Sequence, residues 1–179
     1  MSILKVKLVK LLLKAAVFGF IVIVGGGIYE SVNIYPAMLN GPPRSLILFQ
    51  GNHAISLPTF WIISHSFSEI ILIVLLVLLW KRDVETRKVL MKAFLLHMFL
   101  RFITLLYFAP AIISIIEIPY AEVVDPEINK RLILWITLSV IRVPASVLVA
   151  YWILQSYLIF LLKNNPLSEV RKDYLPPFL

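Results

Sequence analysis

Four stretches of this chain, roughly residues 11–35, 58–80, 89–116 and 132–162, are long and apolar enough to cross a bilayer. A helix rises about 1.5 Å per residue, so about 20 apolar residues cover the roughly 30 Å of hydrocarbon. Lipid offers the backbone no hydrogen-bond partners, and runs of this length satisfy their own amides only as helices. The expected fold is therefore all-α: a polytopic four-helix bundle, one domain over residues 1–179, with a long outer loop between the first two helices.

Composition agrees with that class. Hydrophobic residues make up 60% of the chain and charged residues 15%, against about 45–50% and about 25% in soluble domains. The absence of cysteine excludes disulfides, iron–sulfur clusters and thiolate metal sites. The net charge of +7 would raise nucleic acid in a soluble protein. Here the bases gather at span ends, which favours the lipid bilayer and its anionic headgroups as the partner.

The start, MSILKVKLVKLLLKAAVFGFIVIVGGG, has a basic lead and an apolar run but no A-x-A-like site, and the apolar pattern continues through IYESVNIY. It reads as an uncleaved anchor. Lys5, Lys7, Lys10 and Lys14 precede the first span. Lys81, Arg82, Arg87, Lys88 and Lys92 lie between the second and third, and Lys163, Arg171 and Lys172 follow the fourth. The other two connections carry Arg44, and Lys130 and Arg131 against four acidic residues. The positive-inside rule then places both termini in the cytoplasm of a multi-pass membrane protein. The first outer loop contains Pro36, Pro42, Pro43 and Pro58 around the apolar SLILF, which should fold back on the bundle as a cap. The tail DYLPPFL is expected to be extended.

The second span, TFWIISHSFSEIILIVLLVLLW, carries His65 and Glu69 four residues apart. At about 1.5 Å per residue, His65 lies about 10 Å and Glu69 about 16 Å below the outer face. Arg101 comes to about 12 Å and Arg142 to about 15 Å, with Glu30 within roughly 2–6 Å of that face. His97 is expected about 8 Å from His65 in depth. Two layers result: His65, Arg101 and Glu30 above, Glu69, Arg142 and His97 below. An unpaired charge at a helix centre costs about 2.5–3.5 kcal/mol even on the mildest scale, so the two glutamates should face the two arginines inside the bundle. Trp61, Ser64, His65, Ser68 and Glu69 follow one helical stripe. His97, Arg101, Thr104 and Phe108, with Tyr107 beside them, form another, and Trp135, Ser139, Arg142 and Ser146 a third. Gly26, Glu30 and Asn33 add the first span's contribution.

These stripes imply an outward-facing polar pocket under the first outer loop. Gly25, Gly26 and Gly27 permit close helix approach or leave room for a ligand. Pro144 and Pro110 are expected to kink their helices. Within the pocket His65 and Glu69 are the candidate proton-moving catalytic residues. Glu30, Arg101, Arg142, Trp61 and Tyr107 are the candidate ligand-binding residues, since arginine offers a fixed fork of donors to carboxylate, phosphate or phenolate oxygens. A metal is not expected: His65 and Glu69 supply two ligands, His53 is the one further candidate, and two arginines stand beside them. No cofactor can be named. The four tryptophans read as interface-belt or packing residues.

At GGGIYESVNIYP the chain resembles a family of small four-helix membrane proteins that includes the fungal anthrone oxygenases and uncharacterised bacterial members. The shared features are the glycine-rich first helix, the polar residue near its outer end (Glu30), the proline after it (Pro36) and four spans of this overall length. The continuation PPRSLILFQGNH, with FWIISH, looks like uncharacterised bacterial membrane proteins. The resemblance implies a four-span bundle and oxidoreductase chemistry of the oxygenase kind. Arg101 and Arg142 lie outside it.

Three functions fit these residues. The first is binding or transforming a small lipophilic molecule with an oxygen function, such as a phenol or quinone. The second is a structural or accessory role in which the polar layers hold the bundle together. The third is transport of protons or a small anion, against which the wholly apolar IILIVLLVLLW stands. The sequence alone does not decide whether the chain is an enzyme.

Overall fold

The computed structural model describes residues 2–52 and 54–164. His53 and the tail from 165, with Arg171, Lys172 and the DYLPPFL segment, lie outside the described residues. Four long helices account for most of the described chain: α1 (Ile3–Met38), α2 (Leu57–Leu79), α3 (Val84–Ile116) and α4 (Pro126–Lys163). Each is long and apolar enough to cross a membrane, and no strand occurs among the described residues. α1 packs on α2 and α4, α3 packs on α4, and the α2–α3 contact is the slightest of the four. One end of the bundle holds the start of α1, the α2–α3 turn and the end of α4 (the basal end). The other holds the two longer connections (the loop end).

The helices run past the apolar windows seen in the sequence. α1 begins at Ile3 rather than near residue 11, and α3 at Val84 rather than near 89. Hydropathy marks the apolar part of a helix, whereas the backbone stays helical through the basic turns flanking it. At the loop end α1 continues through Pro36 to Met38, so this proline lies in the helix and not in the connection.

Its helical neighbours adapt. Residues Glu30–Ile34 form a π turn closed by the Tyr35 N–H donating to the Glu30 carbonyl. The same device recurs in α3, where Thr104–Phe108 form a π turn and the Ala109 N–H donates to the Thr104 carbonyl, directly before Pro110. A proline has no N–H to offer the carbonyl four residues back, and its ring crowds that carbonyl. One wide turn before it moves the hydrogen bonds to i, i+5 spacing, and π turns of this kind are common at functional sites. Pro110 thus produces a π turn. α4 continues as α-helix through Pro144.

Between α1 and α2 the segment Arg44–Phe49 forms a 3-10 turn. Leu46 and Phe49 are buried against Ile115, Leu132 and Trp135, so the apolar loop does fold back on the bundle. Gln50 fastens it by donating to the carbonyls of Ile116 (2.5 Å) and Ile118 (2.8 Å), and the Asp125 N–H donates to the Pro42 carbonyl at 3.0 Å.

The interior falls into two apolar clusters. The basal one holds Val9, Leu13, Ala16 and Phe20 of α1 with Leu72, Leu75 and Leu79 of α2, Leu90 and Ala93 of α3, and Val149, Ile153 and Phe160 of α4. The loop-end one holds Tyr35, Met38, Phe108, Leu132 and Trp135 with the loop residues above. In lipid, close packing and hydrogen bonds hold such clusters together, since the tails are as apolar as the side chains. Between the two clusters lies a polar layer.

A candidate intramembrane polar site

Glu30 is 8% exposed and is held by two donors. The Trp61 indole N–H donates to Oε1 at 2.6 Å, and the Tyr35 hydroxyl donates to Oε2 at 3.0 Å. Gly26, one turn before Glu30, allows the first bond: a Cβ there would stand 2.5 Å from the Phe60 ring and 3.3 Å from Trp61. Gly27 lies against Val143 and Gly25 faces open space, so at Gly26 and Gly27 close helix approach is what the glycines provide. The second bond follows from the π turn, which brings residues five apart onto one side of the helix.

Glu69 pairs with Arg101, whose Nε donates to Oε1 at 2.8 Å. The same carboxylate oxygen is 3.6 Å from His97 Nε2, too far for a hydrogen bond. The Glu69 side chain is 25% and the Arg101 side chain 19% exposed, so this pair opens sideways between α2 and α3.

Arg142 is placed by a different set of groups. Nη1 donates to the Thr104 hydroxyl at 2.9 Å and Nη2 to the Ser139 hydroxyl at 3.3 Å. Its guanidinium carbon lies 3.6 Å from the Phe108 ring centroid, a cation–π contact. Thr104 opens the second π turn, and its own hydroxyl donates back to the Leu100 carbonyl at 2.7 Å, leaving the oxygen's lone pairs for Arg142. Trp135 donates to the Phe108 carbonyl at 2.9 Å, fixing the ring below the guanidinium from the backbone side.

Between these groups runs a file of rings. Trp61 stacks on His65 (centroids 5.4 Å apart), His65 lies 5.3 Å from His97, and Phe20 meets His97 edge-on at 4.9 Å. Among the described residues, three buried side-chain nitrogens have no hydrogen-bond partner: His65 Nδ1, His97 Nε2 and Arg142 Nε. Leaving such an atom unpaired costs about 1–3 kcal/mol. All three belong to this layer.

The structure brings together Glu30 with Trp61, Glu69 with Arg101, and His65 with His97. Three expectations change. Glu30 does not balance an arginine: no pair within 4.0 Å joins it to Arg101 or Arg142 among the described residues, because Trp61 and Tyr35 occupy its oxygens. The 8 Å offset expected between His65 and His97 closes to ring contact, since a depth count omits helix tilt and the length of the side chains. Tyr107 is 39% exposed and meets Phe108 from outside the layer, edge-on at 5.0 Å. Asn33 is likewise exposed, donating to the Tyr29 carbonyl at 3.3 Å.

The second apolar cluster and its cap lie at the loop end, on the side where an outward opening is expected. Two grooves among the described residues, of about 670 and 650 Å³, lie at the basal end. No group of three or more potential metal ligands occurs among the described residues.

Tyr35 is absent from the sequence-derived candidates, whereas Thr104, Ser139 and His97 stand on the polar stripes without an assigned binding or catalytic role. Tyr35 sits five residues after Glu30, a spacing invisible to 3.6-residue periodicity. The proline six residues after Glu30, matched six residues after Thr104, was the signal available.

No family model matches the chain, and no curated protein or solved structure matches it significantly.

Proposed function

We propose that this protein spans the membrane four times, with both termini cytoplasmic, and that its polar layer binds a small lipophilic molecule carrying an oxygen function, a phenol or quinone by class. The observation that carries the reading is that three buried nitrogens without a hydrogen-bond partner, on His65, His97 and Arg142, all lie among the polar side chains between the two apolar clusters, with the two imidazoles in ring contact. Buried polar atoms without partners are rare, and each is costly. A ligand oxygen accepting from Arg142 Nε, with an imidazole nitrogen beside it to hold or release a proton, would satisfy the set.

Access in this reading is lateral, from the lipid, through the α2–α3 contact where Glu69 and Arg101 are partly exposed. The basal positive charge supports the orientation. The resemblance to the anthrone oxygenase family would make the ligand an aromatic carbonyl or phenol, and oxygenase chemistry stays part of the proposal.

A second reading is structural, and the mutual satisfaction of Glu69 with Arg101 and of Glu30 with Trp61 and Tyr35 favours it. Transport is the weakest reading: the basal half of the bundle is packed with the buried apolar side chains of Leu13, Phe20, Leu72, Leu75 and Leu79.

The test is thermal unfolding in mild detergent with a short-chain benzoquinone and its hydroquinone added. A stabilisation in the wild type that vanishes in Arg142→Ala and in Arg142→Lys, both still folded, supports the site. Equal stabilisation of wild type and both variants would refute it.

A further inference from the structure

The basal end carries a feature that the polar layer does not use. Two grooves flank Trp80 and Met91, which line both. One is walled by Val89 and Ile159 and edged by Lys88 and Lys92. The other is walled by Ile73, Val77 and Phe94 and edged by Lys81 and Arg82. Each joins an apolar trough to basic side chains at its mouth.

The wall between them is held in place. Arg87 donates to the Trp80 carbonyl and lies over its ring, 4.9 Å from the centroid. Glu85, which also lines the first groove, is paired with Lys163, an ammonium it shares with Asp83. Lys81, Arg82, Lys88 and Lys92 are exposed and form no ion pair among the described residues.

We infer that these grooves bind the acyl chains of an anionic phospholipid whose headgroup phosphate is held by Lys88, Lys92, Lys81 and Arg82 across the Trp80 wall. The occupant follows from charge complementarity combined with apolar walls that continue along the helices. Basic residues at a span end need only a charged surface, whereas a trough beside them selects a molecule having both a phosphate and chains. The inference rests on the membrane-spanning reading and is independent of any ligand in the polar layer.

Native mass spectrometry with added diacyl phosphatidylglycerol or phosphatidylcholine tests it, using Lys88→Gln/Lys92→Gln beside the equal charge loss Lys130→Gln/Arg131→Gln at the loop end. Near-surface bases are worth about fivefold in affinity each. The wild type should retain phosphatidylglycerol over phosphatidylcholine, the basal variant should lose roughly 25-fold in affinity, and the loop-end variant should match wild type. Equal retention of the two lipids, or equal loss in both variants, overturns the inference. So does glycerol phosphate displacing the lipid at matched concentration, because the acyl troughs would then contribute nothing.

Discussion

Trp61 reaches from α2 to α1 and gives its indole N–H to Glu30 at 2.6 Å, over a glycine that leaves room for the ring. This bond ties two helices together at a buried carboxylate whose other oxygen accepts from Tyr35. Trp61→Phe keeps an aromatic ring against His65 and removes the donor. It should lower stability by about 1.5–3 kcal/mol, the range for hydrogen bonds to charged groups. Glu30→Gln should cost less, since an amide needs less help when buried. Thermal unfolding of both variants in the same detergent measures the difference.

Gly26 and Gly25 should respond in opposite ways to alanine. At Gly26 the added methyl meets the Phe60 ring at 2.5 Å, so Gly26→Ala must displace that ring and, beside it, Trp61. Overpacking of this kind costs about 1–3 kcal/mol. At Gly25 nothing lies within 4 Å, and Gly25→Ala should be neutral or stabilising by up to about 1 kcal/mol from helix propensity. The same unfolding measurement compares the two.

Glu69 and Arg101 should behave as a coupled pair. Removing one partner leaves the other charged and only partly exposed, so Arg101→Gln and Glu69→Gln should each destabilise. The double variant should be less destabilised than the sum of the singles, with a coupling of about 0.5–3 kcal/mol. A double-mutant cycle read by unfolding gives the coupling. Additive losses would mean that the pair contributes nothing as a pair.

The basal turn should be acid-sensitive. Asp83 caps α3, accepting from the Thr86 N–H at 3.2 Å and the Thr86 hydroxyl at 2.6 Å, and it pairs with Lys163 at 3.0 Å. Burial pushes its carboxyl upward, but the Thr86 and Lys163 hydrogen bonds outweigh this and hold it below the ordinary 3.8. The folded protein therefore takes up this proton less readily than the unfolded chain. The contribution is complete above 3.8 and disappears as pH falls through the folded-state value. Asp83→Asn should be less stable than wild type at neutral pH, and the gap should close in acid. Unfolding midpoints of the two proteins across that range check the sign.

Much of this was legible in the sequence. Apolar runs of twenty or more residues predict the four helices, and the stripes through His65, His97 and Ser139 correctly mark inward faces. The exact partners were not legible, for two physical reasons. Depth along a helix axis ignores tilt and side-chain reach, which separated His65 from His97 on paper though their rings lie 5.3 Å apart. Charge balance also assumed that carboxylates seek guanidinium groups. Neutral donors serve Glu30 instead, and hydroxyl oxygens with a phenyl face serve Arg142. The Tyr35 bond depends on a π turn, which a 3.6-residue period cannot register.

The most direct measurement is native mass spectrometry of the protein extracted in mild detergent without added ligand, wild type beside Arg142→Ala. The expected result is a wild-type population carrying a small lipophilic molecule that the folded variant lacks. An unliganded mass for both proteins, with the variant merely less stable, would contradict the binding site and leave the polar layer as the bond that holds four helices in register.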